Sequence, residues 1–170
     1  MRKFLFAFSL LYSITFFGQK SNIQKETRET IEWINSKLTE FQYENKSDDM
    51  IQTCQLSEIV EINGEYYLTG IREQKTSKPW AFKLNFTIPI SQINNVSIEE
   101  KQYNFWINIR MKNNEKSITT YKMNGEIRGN ISNMDIILNK SILNEKIDQR
   151  LIKAFNYLFE MYGYNKNEKF

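Results

Sequence analysis

Apolar residues toward the C-terminal end fall at Ile147, Leu151, Ala154, Phe155, Leu158 and Tyr162, a helical spacing that gathers them into one broad stripe. The spacing predicts a closing helix over Asn144 to Tyr162, with Asn144 capping its start, Glu145 in the first turn and Gly163 ending it in the left-handed region. A stripe that wide has to cover a sheet or the mouth of a barrel. A second helical pattern runs through Ile23, Thr27, Ile31, Ile34, Leu38 and Phe41, behind Ser21 and Gln24 at the spacing of a capping box. It predicts an amphipathic helix of about twenty residues. Trp33 lies at the edge of that stripe, where an aromatic either packs half-buried or meets a ligand. Glu44 to Asp49 is polar and reads as the loop that ends the helix.

Between the helices the period changes to two. An imperfect alternation from Met50 leads through Ile59, Val60 and Ile62 to Asn63-Gly64, the strongest short hairpin signal, and Glu65 to Glu73 forms the returning strand. Trp80, Phe82, Leu84, Phe86, Ile88 and Ile90 alternate with Ala81, Lys83, Asn85 and Thr87 between Pro79 and Pro89, so one face is core and the other wet. Asn94-Asn95 turns the chain into Val96 to Glu100. Tyr103, Phe105, Ile107, Ile109 and Met111 then alternate with Asn104, Trp106, Asn108, Arg110 and Lys112. Further turns at Asn113-Asn114 and Asn124-Gly125 separate Ser117 to Met123 from Glu126 to Ile131, and a last strand passes through Met134, Ile136 and Leu138. Short connections imply antiparallel neighbours. The predicted class is α+β: an N-terminal amphipathic helix, an antiparallel meander of about seven strands, and a C-terminal amphipathic helix closing the core.

Arg2 and Lys3 precede an apolar run from Phe4 to Phe17 that stops at Gly18, the order of a secretory signal peptide. The run is shorter than the roughly 20 residues a spanning helix needs. The expected organisation is therefore a removed leader at 1–18 and one α+β domain at 19–170, exported to the periplasm or beyond and without a transmembrane segment. The whole chain carries 23 Lys and Arg against 20 Asp and Glu, a formal charge of +3. Loss of Arg2 and Lys3 brings it close to neutral, leaving no field that would draw nucleic acid.

The strand meander with its "IPISQINNVSIE" segment (Ile88 to Glu99), closed by a helix, resembles the pleckstrin-homology-like barrel over Met50 to Tyr162. The "FFGQ", "ETIEWINSKL" and "RLIKAFNYL" stretches resemble small exported Bacteroidota proteins of unassigned function. The first resemblance implies a barrel or strongly bent sheet plugged at one end by the last helix, in a class that mostly binds phosphoinositides or peptides. That binding does not carry over, because the turn between the first two strands, Ile62-Asn63-Gly64-Glu65, lacks clustered basic residues.

With no histidine, the chain has no Ser-His-Asp or Cys-His machinery and no His-ligated zinc. Cys54, the one cysteine, reads as a small buried hydrophobe on a strand, with an intermolecular bridge or a reactive thiol as the alternative. Acid pairs occur at Asp48-Asp49, Glu99-Glu100 and Glu58/Glu61, but carboxylate catalysis needs two acids facing one cleft. Asn124-Gly125-Glu126-Ile127-Arg128-Gly129 is a turn into a strand, where a phosphate cradle needs a helix. No cofactor or metal is expected. The outward row Trp106, Arg110 and Lys112 mixes an aromatic with cations and is the candidate binding face. The sequence thus points to a non-catalytic module for an unidentified protein, peptide or small ligand, with a carboxylate-dependent hydrolase of envelope or extracellular glycans as the alternative.

Overall fold

A computed structural model describes the backbone of residues 2–79 and 81–164, and the side chains of 21–79, 81–143 and 146–164. Helix α1 (Arg2–Glu40) leads into β1 (Tyr43–Asn45), β2 (Met50–Ile62), β3 (Glu65–Lys75), β4 (Phe82–Pro89), β5 (Ile93–Glu100), β6 (Phe105–Met111), β7 (Ile118–Lys122), β8 (Ile127–Ile131) and β9 (Asn133–Leu138). Helix α2 (Ile147–Glu160) follows. The class is α+β with antiparallel pairing throughout these strands.

The strands are not one meander. They form a six-stranded sheet in the order β1-β2-β3-β4-β7-β8 and a three-stranded sheet in the order β5-β6-β9, and no closed barrel results. The predicted rule that a short connection makes neighbours fails at three places. Pro89 ends β4 without an amide donor, and a 3-10 turn at Ile90–Gln92 delivers the chain into the other sheet. A second such turn at Lys112–Asn114, with Asn113 and Asn114 at φ 52° and 55°, carries β6 back across to β7. Ser132 alone separates β8 from β9. The loop expected at Glu44 to Asp49 holds an extra short strand, since β1 pairs Tyr43 with Gln52.

Asn94-Asn95, expected as a turn, lie inside β5, the turn falling earlier at Ile90–Gln92, whereas the Asn63-Gly64 turn follows its residues closely. Asn63 and Gly64 take φ 53° and 80°, and Ile62 pairs with Glu65, the two-residue hairpin that Asn-Gly encodes. Gly70 answers a different need. A Cβ there would lie 2.4 Å from Phe86 Cζ and 2.5 Å from the Gln55 carbonyl oxygen, so glycine is what lets the Phe86 ring lie across β3.

Both sheets and both helices contribute to one core. Ile34 and Leu38 of α1, Leu56, Leu68 and Ile88 of the larger sheet, Ile107 and Ile109 of the smaller, and Leu151, Phe155 and Phe159 of α2 are all fully buried. Each such side chain contributes about 1.5–3 kcal/mol. The predicted stripe of α2 is the face that packs, joined by Phe159. Its start differs: a 3-10 segment at Lys140–Glu145 contains Asn144, and Lys146, left-handed at φ 56°, is the N-cap. The Asn144 side chain lies outside the described residues. Its end is as expected, with Gly163 at φ 87° donating to Glu160 and Tyr164 donating to Phe159 at 3.1 Å, while the Phe159 and Tyr164 rings meet edge-on.

Helix α1 is one continuous element, so Ser21 is inside it and does not begin it. A lone Gly18 costs a helix only about 1 kcal/mol. From Thr27 onward its predicted stripe is buried. Among the described residues no helix is long and apolar enough to cross a membrane.

Candidate binding groove

The inner face of the six-stranded sheet is laid down by alternation, and register shows which residues share it. Arg72 of β3 stands opposite Cys54 on β2 and Leu84 on β4; Gly70 stands opposite Leu56 and Phe86; Phe86 in turn faces Thr120 of β7. At the Leu68 and Ile88 end this face is closed over by core. At the other end it opens as a groove of about 340 Å³, lined by Arg72, Phe82, Leu84, Phe86, Thr120, Arg128, Gly129, Ile131 and Met134.

Two guanidiniums converge on one ring there. Arg72 Cζ lies 5.6 Å and Arg128 Cζ 5.8 Å from the centre of Phe82, both within cation–π range. Arg128 reaches the groove because of a β-bulge. Thr120 pairs with Gly129 and Tyr121 with Ile127, which leaves Arg128 as the extra residue on β8 and turns it off the strand's regular alternation. Neither arginine is in an ion pair among the described residues, and no residue lining the groove is acidic.

Cys54 lies beneath, buried and free. Burial pushes its thiol up to about 12, against the smaller opposing pull of Arg72. Next to it on the inner face, Gln52 Nε2 donates to Gln74 Oε1 at 2.5 Å, and both glutamines are buried.

The face predicted from sequence is assembled only in part. Trp106 and Arg110 share the outer face of the three-stranded sheet, but buried Asn108 stands between them. Trp106 is half-buried; its Nε1 donates to Asn104 at 2.7 Å, and Lys101, paired with Glu99, lies 5.2 Å over its ring. Lys112 lies beyond the strand in the 3-10 turn and donates to the Ser91 carbonyl at 2.6 Å. Trp33 packs half-buried under Arg150, 5.3 Å away, beside a shallow outer groove between the helices. Two carboxylates border that groove: Glu26 accepts from Tyr157 at 2.7 Å, and Glu29 is paired with Lys25.

Of the acid pairs, Asp48 and Asp49 are in an exposed turn, and Glu99 and Glu100 are bound to Lys101 and Lys140. Glu58 and Glu61 are exposed on β2. The described residues contain no cluster of three metal-ligating side chains. Sequence reasoning missed the groove, although the signal was there. Leu68, Gly70, Arg72 and Gln74 have one parity, so the inward row turns from apolar to polar at one end of the sheet.

No family model, no curated protein and no solved structure matches this chain.

Proposed function

We propose that the protein is an exported, non-catalytic binding module whose ligand occupies the groove at the open end of the six-stranded sheet. One observation carries this: two arginines outside the ion pairs found among the described residues are aimed at a single aromatic ring over an otherwise apolar bed. Arg72 is half-buried beside this apolar surface and Arg128 exposed at its rim, an arrangement in which an anionic group would gain charge-assisted hydrogen bonds. Export is supported by the Arg2-Lys3 start and the apolar run to Phe17. A glycan hydrolase would need two acids facing one cleft; the arginine groove has none, and the two beside the helices, Glu26 and Glu29, are engaged by Tyr157 and Lys25.

A neutral apolar dye such as prodan tests the site. Its fluorescence rises on titration with the wild-type protein and stays flat with Gly129→Leu, because Gly129 lines the groove and a Cβ there meets nothing within 4 Å, so a larger side chain has room to occupy the ligand's space. A flat response from the wild type, or an equal rise from both proteins, overturns the assignment of this groove.

A further inference from the structure

Resting on the assignment of the groove as a ligand site, we propose that its ligand is a medium-chain fatty carboxylate, with the head between Arg72 and Arg128 and the chain along β4. The polarity of the groove has a direction. Both guanidiniums gather around Phe82 at the first residue of β4, and past it come Leu84 and Phe86, with Ile131 and Met134 alongside. Phe82 to Phe86 spans about 13 Å of strand, which an extended chain of about ten carbons covers. The volume of about 340 Å³ falls in the range of small-molecule sites, roughly 300–1,000 Å³.

Charge selects the head. A cationic or zwitterionic amphiphile would bring an ammonium against two arginines with no acid in the lining to receive it. Between anions, the backbone decides. Every lining residue belongs to a strand, so the groove offers no helix N-terminus of the kind that wraps phosphate oxygens. Two guanidinium forks remain, and a carboxylate presents two oxygens, one to each. The Phe82 ring that both cations contact holds them in place before the ligand arrives.

The test uses decanoate and decanol, each below its micellar concentration, competing with prodan. Decanoate displaces the dye at least tenfold more strongly than decanol, and added salt narrows the gap. Arg72→Gln and Arg128→Gln each lower decanoate affinity about tenfold and decanol affinity far less, so that the preference for decanoate over decanol is lost; Arg128, exposed on an edge strand, decides the matter should Arg72→Gln fail to fold. Equal affinity for decanoate and decanol, with prodan still bound, overturns the carboxylate assignment and spares the groove. Tighter binding of decyl phosphate than of decanoate also overturns it. Failure of prodan itself to bind overturns the groove, and the inference with it.

Discussion

The side-chain amide of Asn35, on α1, hydrogen-bonds the backbone of Leu56 in β2 in both directions, donating to its carbonyl and accepting from its amide, each at 2.8 Å. It does what a neighbouring strand would do. β1 covers β2 only at Met50 to Gln52, so Leu56 lies on an open edge just before the irregularity between Leu56 and Ile59. Asn35→Asp keeps the shape and loses the donor, placing a charge beside a carbonyl. It is expected to cost about 2–3 kcal/mol, read as a lowered urea midpoint at unchanged slope. A loss of under about 0.5 kcal/mol would show that water serves that edge equally well.

Gly70 and Gly129 make a matched pair for testing close approach. Gly70→Ala forces a Cβ against the Phe86 ring and the Gln55 carbonyl, while Gly129→Ala meets nothing. The first is expected to lose about 1–3 kcal/mol and the second to stay within about 0.5. Thermal melts of both variants check this, and Gly70→Ala/Phe86→Leu recovers part of the loss because the backbone contact persists.

Tyr162 ties the two helices together. The Thr27 hydroxyl donates to Ile23 at 2.7 Å, so the 2.7 Å contact with Tyr162 has the phenol as donor. Tyr162→Phe keeps the edge-on contact with Tyr66, at 4.9 Å, and should cost about 1 kcal/mol. Tyr162→Ala loses both contacts and should cost about 3 kcal/mol in the same urea assay. Leu151→Asp is a harsher test of docking. Leu151 is fully buried, and an unpaired charge there costs several kcal/mol out of a total of about 5–15, so the variant should not show a cooperative melt.

The pattern along the chain shows elements better than it shows partners. The alternation at Phe82 to Ile88 and at Phe105 to Met111 identifies both strands and their buried faces, and Asn63-Gly64 identifies its turn. The division into two sheets is not written in periodicity, because Ile90 and Ile93 are as buried as the strand residues they follow, and nothing in their polarity marks the crossing. Pro89 was the available sign. Arg128 shows the other limit: its sequence neighbours suggest a plain edge strand, and only pairing reveals the bulge that swings it into the groove.

Cys54 gives a pH dependence of defined sign. Unfolded, the thiol ionises near its ordinary value of 9.0; folded, burial holds the proton to about 12. The contribution is fully present below about pH 9 and is lost as pH rises toward 12, because the unfolded state releases a proton the native state retains. Tyr164 shifts upward for the same reason, chiefly burial, and adds to the loss. Urea midpoints at about pH 8 and about pH 10.5 should therefore fall, and fall less in Cys54→Ala. In native protein near pH 8 the thiol should resist alkylation until denaturant is added. Rapid labelling without denaturant would place Cys54 at the surface.

The three crossings at Pro89, Lys112–Asn114 and Ser132 also govern how the chain can be assembled. Neither layer is encoded by an uninterrupted stretch: the larger waits for β7 and β8 after β5 and β6 have gone by, and the smaller waits for β9. A nascent chain halted before β8 thus owns no finished layer, and one halted before β9 holds every strand of the larger but not of the smaller. Only the final strand and helix complete the smaller layer and the core that the two share.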